Sequence, residues 1–127
     1  MVEKEKVIIV EGRTDKKQIL KVLSAKEQIE IVCTNGTLGV ERLEELIEGY
    51  GLDYKEVFVL VDEDDSGHKL RKQLSYELPH AEHIYVDKSF REVAATPETV
   101  LATALVSNHF DVKPIYLSNK GGLYDSN

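Results

Sequence analysis

Four consecutive carboxylates, Asp62-Glu63-Asp64-Asp65, run into Ser66 and Gly67 and form the densest concentration of chemistry in the sequence. With charge centres ~6 Å apart, each close pair repels by roughly 2–3 kcal/mol at an effective dielectric of about 20, so a compensating cation is expected. In extended backbone, residues two apart point the same way, which lets Asp62 and Asp64 converge on one ion. Hard oxygen ligands suit Mg²⁺, with Mn²⁺ as a substitute, because Mg²⁺ keeps most of its waters and takes one or two protein carboxylates. The plainer alternative is that Asp64, Asp65 and Ser66 cap a helix, which leaves Asp62 unexplained. An EF-hand fits Asp62-x-Asp64-x-Ser66-Gly67 but fails further on. Its twelfth position is Gln73 where a bidentate Glu is wanted, and the preceding segment is a strand.

A second acid stands apart. Glu11 closes the apolar run Val7-Ile8-Ile9-Val10 and opens a turn through Gly12, where a carboxylate is costly to desolvate without a partner or a task. Beside a two-carboxylate metal site, such a group could move a proton while the ion neutralises a phosphate. Basic residues follow both acidic segments. His68, Lys69, Arg71 and Lys72 form a cluster on the start of a helix, opposing its dipole, where they are placed either to hold a phosphate backbone or to form an ordinary solvated face. Arg13 and Lys16 extend the patch beside Glu11. His80, His83 and His109 share no metal-ligand spacing, and Cys33 reads as a small buried hydrophobe.

The elements that position these residues follow from apolar runs and helical spacing. Residues 7–10, 29–33, 57–61 and 84–86 are short and rich in β-branched residues, as strands covered on both faces require. Glu30 interrupts the second, which suits a place near a sheet edge. Helical spacing fills residues 16–24, 38–49 and 68–78, the last ended by Pro79. A fourth helix is predicted from Thr96 as cap and Pro97 at the first helical position. Residues 115–117 are predicted as a fifth short strand, and residues from 120 on as a frayed tail. The order βαβαβαβα implies a three-layer α/β/α, Rossmann-like fold: a parallel sheet between helices. In such sheets sites form beyond the carboxyl ends of the strands, where Glu11 and the acidic run both fall. A strand order of 2-1-3-4 makes the first and third strands neighbours, so that Glu11 faces Asp62 and Asp64.

Composition narrows the class. The chain has 127 residues, enough for one core without disulfide staples. Its net charge of −7 excludes a polycationic binder that works by bulk attraction. A single cysteine excludes an intramolecular disulfide and a Cys₄ or Cys₂His₂ zinc site. No apolar run reaches the ~18 residues of a membrane span, and the charged N-terminus has too short an apolar stretch for a secretory signal. A cytoplasmic protein with no membrane partner is expected.

Together, Glu11-Gly12 after the first strand and Asp62-x-Asp64-x-x-Gly67 after a later one, about fifty residues apart with Thr34-Asn35-Gly36 between them, resemble the Toprim domain of topoisomerases, bacterial primases and several nucleases. The resemblance covers about residues 5–105. Within that superfamily the chain is most similar to the catalytic domain of the ribonuclease that matures 5S ribosomal RNA. That domain shares the Thr-Asn-Gly segment and a Gly-x-x-[Ile/Leu]-Arg stretch, here Gly67-His68-Lys69-Leu70-Arg71. Its Val-Glu-x-Ala-Ser-Pro-Glu segment is similar to Glu92-Val93-Ala94-Ala95-Thr96-Pro97-Glu98. The resemblance implies a single Toprim domain over residues 1–118 with a flexible tail at 119–127. It implies Glu11 as general acid or base and as a further approach to the metal, Asp62 and Asp64 as Mg²⁺ ligands, and Gly12 and Gly67 as structural turns. Arg13, Asn35, Gly36, His68, Lys69, Arg71 and Lys72 would contact the phosphates. The implied activity is Mg²⁺-dependent phosphodiester processing on RNA, ahead of DNA, with a protein partner supplying substrate binding, since the ribonuclease's C-terminal substrate-binding region has no counterpart here. The alternative is a non-catalytic metal- and phosphate-binding module that tethers or regulates a nucleic-acid complex. A topoisomerase's tyrosine domain and a primase's zinc and helical domains do not fit this length. A receiver-like phosphotransfer domain is disfavoured, because only Glu11 follows the first strand.

Overall fold

The computed structural model describes residues 4–117; the tail expected at 119–127 lies outside them. Four strands form one parallel sheet: β1 (Lys6–Val10), β2 (Glu30–Cys33), β3 (Glu56–Leu60) and β4 (Glu82–Ile84). Their order is β2-β1-β3-β4, the order that puts Glu11 and Asp62 on adjacent strand ends. Four helices cover the faces: α1 (Arg13–Val22), α2 (Val40–Tyr50), α3 (Asp65–Glu77) and α4 (Glu98–Ser107). The chain is thus the predicted α/β/α sandwich.

Alternation along the central strands feeds two separate cores. Ile8, Val10, Phe58 and Leu60 point to one face and pack with Ile19 of α1 and Leu101 and Leu105 of α4. Val7, Ile9, Val57 and Val59 point to the other and pack with Leu43 of α2 and Leu70 and Leu74 of α3. All of these side chains are buried, each contributing ~1.5–3 kcal/mol of transfer free energy, so the two inner strands are held from both sides. A rigid strand pair is what a pair of facing acids at its end needs.

Several local expectations are corrected. Residues 115–117 form no strand: Pro114–Tyr116 is a 3₁₀ turn, because Pro114 has no amide to give a ladder and fixes φ for a turn. Thr96 does not cap α4. Its hydroxyl donates to the Glu92 carbonyl at 2.8 Å, and Pro97 takes the cap position. The fourth strand's ladder runs over Glu82–Ile84 and stops before Tyr85 and Val86; Val86 is buried all the same, so the apolar run outlasts the ladder. The α1 and α3 helices also start earlier than their apolar spacing shows, since their first turns are polar and are set by caps.

Candidate metal centre

Glu11 leaves β1 at the C-terminal end of the sheet and reaches across to β3. Its Oε1 accepts from the Asp62 amide at 3.1 Å, and its Oε2 accepts from Ser66 Oγ at 3.3 Å. The carboxylate therefore ties the end of β1 to the loop after β3 and to the first turn of α3. Burial pushes the Glu11 carboxyl above its usual range, and the charges of Asp62 and Asp64 push it further, against the hydrogen bonds that lower it.

The four acids of the run have four different situations. Asp62 Oδ1 accepts from the Val93 amide at 2.8 Å, and burial followed by the charges of Asp64, Glu92 and Glu63 raises its pKa. Glu63 turns away from Glu11, with its Oε2 3.2 Å from Arg71 Nη2 and its Oε1 3.4 Å from His68 Nε2. Asp64 is the N-cap of α3, its Oδ1 accepting from the Gly67 amide at 2.8 Å. Asp65 is exposed in the first turn. Capping thus explains Asp64 in part and Asp62 not at all. Each keeps its second oxygen without a protein donor among the described residues. Two part-buried carboxylates with a spare oxygen each fit Mg²⁺, which takes few protein ligands and keeps its waters. Among the described residues no three His, Cys, Asp or Glu side chains gather tightly enough to hold a metal by themselves.

Gly67 has a steric reason to be glycine. A Cβ there would lie 1.9 Å from the Asp62 carbonyl oxygen, so the first turn of α3 can pack on the end of β3 only without a side chain. Gly12 has none: it caps α1 in ordinary extended backbone, φ −139°, with the nearest atom to a Cβ 3.8 Å away. Its amide instead donates to Asp15 Oδ2 at 3.0 Å. Asn35 and Gly36 form the turn after β2 with φ of 59° and 108°, and the Asn35 amide donates to the Glu11 carbonyl at 2.6 Å. That bond brings the turn against the centre's edge.

The basic cluster divides. His68, Lys69 and Lys72 are exposed on α3 and Arg13 is exposed at the start of α1, all open to a ligand. Arg71 is buried and is not part of any surface patch. Its guanidinium donates to the carbonyls of Ile84 (2.7 Å), Val59 (3.3 Å) and Val61 (3.4 Å) and to Glu63, clamping β4 and the acidic loop to β3. The helical period allows this: Arg71 follows Leu70 and precedes Leu74, on the side turned to the sheet.

Two acids at the centre carried no role in the sequence analysis. Asp15 is 5% exposed, and burial, with the charge of Asp62, raises its pKa. Its i+3 relation to Gly12 was the available sign. Glu92 adds negative charge to both Asp62 and Asp15. It lies on the loop between β4 and α4, which is stitched to the centre through Val93 to Asp62 and through the Glu63 amide to the Arg91 carbonyl (2.6 Å). Ser75 Oγ lies 2.9 Å from His83 Nε2, a spacing a nucleophile and its base would show. Arg71 Nη1 stands 3.2 Å from His83 Nδ1, however, so Nδ1 accepts, Nε2 carries the proton and donates to Ser75, and the imidazole is no base for that hydroxyl.

The Toprim domain family model matches residues 6–89, which include β1 through β4 and every acid of the centre except Glu92. The chain is a Toprim-domain protein. This Toprim chain is 48% identical over 120 residues to the uncharacterized protein YusF of Bacillus subtilis (strain 168), covering 94% of this chain and 80% of that one. It is also similar to the structure of a small TOPRIM domain protein from Bacillus stearothermophilus. That likeness has a TM-score of 0.83 and 47% identity, over 91% of this chain and 95% of that one. The chain therefore belongs to a family of metal-binding, nucleic-acid-processing domains. Among the described residues no helix is long and apolar enough to cross a membrane.

Proposed function

We propose that this Toprim domain is a Mg²⁺-dependent phosphodiester-processing unit acting on RNA ahead of DNA in the cytoplasm, with a partner protein adding substrate affinity. The observation that carries the proposal is the junction of Glu11 with the Asp62 amide and Ser66, which holds a part-buried carboxyl, its pKa raised by burial, beside two acids that each keep an oxygen to give. Asp62 and Asp64 would hold Mg²⁺, with Mn²⁺ able to replace it, and Glu11 stands near enough in charge to share the ion. When bound, the ion would neutralise a phosphate and polarise its P–O bonds. Glu11 is set to hold or move a proton, because its raised pKa brings it nearer the working pH. Ser66 and the Asp62 amide orient it, and Arg13, Lys69 and Lys72 would receive the flanking phosphates. Asn35 and Gly36 would face the same strand from the turn after β2.

A second proposal, a non-catalytic metal- and phosphate-binding module, is favoured by the net charge of −7, which repels a polyanion and calls for a basic partner. Glu11→Gln separates the two. The amide oxygen still accepts from the Asp62 amide, so folding is kept, but the side chain no longer exchanges a proton. On a pool of structured RNA, single-stranded DNA and duplex, wild type should cleave with Mg²⁺ and not with chelator, and the variant should lose ~10²-fold or more in rate. Cleavage that survives Glu11→Gln would overturn the assigned role, and absence of cleavage by wild type with its partners present favours the binding module.

A further inference from the structure

A cavity of about 500 Å³ opens between α1 and the edge strand β2, outside the carboxylate centre. Arg13, Thr14, Lys16 and Lys17 line it from the first turns of α1, and Leu20 and Cys33 form its apolar floor. Leu20 is half exposed on a helix whose other apolar residues, Ile19 and Val22, are in the core, so its side chain is open to a ligand in the groove. Cys33 is half buried at the end of β2, on the same sheet face as Ile31. The three cations make no ion pair among the described residues, although the chain carries an excess of acids. The volume lies in the range of small-ligand sites, about 300–1,000 Å³.

We infer that this α1/β2 groove seats one unpaired nucleotide of a single-stranded nucleic acid, with Lys16 and Lys17 on its phosphates and the base lying on Leu20 and Cys33. The inference rests on the function proposed above and adds to it the form of the substrate. Arg13 lines this groove and lies two residues after Glu11, so a strand in the groove starts beside the segment that carries the carboxylate. An apolar floor beside a row of cations on α1 matches a phosphodiester chain with an exposed base face. In a duplex that face is stacked and cannot reach the floor, so single strands are selected over duplex.

Cys33, the chain's single cysteine, is a built-in reporter. Saturating single-stranded RNA or DNA of mixed sequence should slow its alkylation by iodoacetamide several-fold in chelator, and an equal concentration of duplex should not. Lys16→Ala plus Lys17→Ala should remove the protection, weaken single-strand binding by about tenfold and reduce the salt slope by roughly 1.4, two contacts at ~0.7 each. Leu20→Asp, at an exposed position that leaves the core intact, should weaken binding to the same degree. Equal protection by RNA and DNA places recognition in phosphate and base, and protection by RNA alone adds the 2′-hydroxyl. Alkylation unchanged by bound single strand, or an unaltered salt slope in the lysine variant, overturns the groove. Cleavage with Mg²⁺ but no protection of Cys33 overturns the groove and leaves the proposed function standing, whereas protection without cleavage, with the partner proteins present, supports the groove and favours the binding module.

Discussion

At the centre, three carboxyl groups are held in a state that costs stability. Glu11, Asp15 and Asp62 all have pKa values raised by burial. A carboxyl whose folded pKa lies above its unfolded value contributes stability that is fully present below the unfolded value, and loses it as pH rises through the folded one. At neutral pH these acids therefore weaken the fold. Asp62→Asn keeps the oxygen that accepts from the Val93 amide and removes the charge. It should raise Tm in the presence of chelator while cancelling the rise that Mg²⁺ gives wild type by mass action. Calorimetry with chelator and with millimolar Mg²⁺ reads both effects. A variant less stable in chelator, or one that keeps the Mg²⁺ shift, would contradict the role given to Asp62.

The α3 helix illustrates how one element can carry unlike duties on its sides. Its cap, Asp64, and its close-approach glycine, Gly67, fix the acidic loop, while Arg71 clamps β3, β4 and Glu63 from the buried side. Arg71→Ala strands Glu63, whose side chain is only 7% exposed, and should cost about 3–5 kcal/mol by urea denaturation. Lysine should not rescue it, since a single ammonium cannot span three carbonyls and a carboxylate. Lys69→Ala plus Lys72→Ala should change stability by less than about 0.5 kcal/mol but flatten the salt dependence of nucleic-acid binding. The β4 strand adds a pH response. Burial and then the Arg71 charge lower the His83 pKa, so stability is lost as pH falls from the ordinary histidine value of ~6.5 towards the lower folded one. In His83→Gln, the difference from wild type should shrink between pH 7 and pH 5; a constant difference would mean that His83 does not titrate in this way.

Across the whole molecule, what was legible in the sequence followed from period and placement. The β-branched runs marked the four strands, and the polar residues after them marked the end of the sheet where Glu11, Asp62 and Asp64 meet. The roles of neighbours were less visible. Arg71 reads as one cation among four, because charge alone does not say which face of a helix it occupies; only its place between Leu70 and Leu74 turns it inward. Asp15 and Glu92 are drawn to the centre by a cap and by the β4–α4 loop, tertiary contacts with no fixed spacing. The turn at Pro114 was masked by its apolar neighbours Ile115 and Leu117, which resemble a strand.

Whether Asp62 and Asp64, with Glu11 beside them, hold one divalent ion is read most plainly from Mn²⁺ binding. Titration of the full chain with Mn²⁺, followed by electron paramagnetic resonance of the free ion, should show one site per chain that Mg²⁺ displaces. Asp62→Asn plus Asp64→Asn should abolish it, and Glu11→Gln should alter its affinity by no more than a few-fold. An undiminished Mn²⁺ site in the double variant would contradict the account.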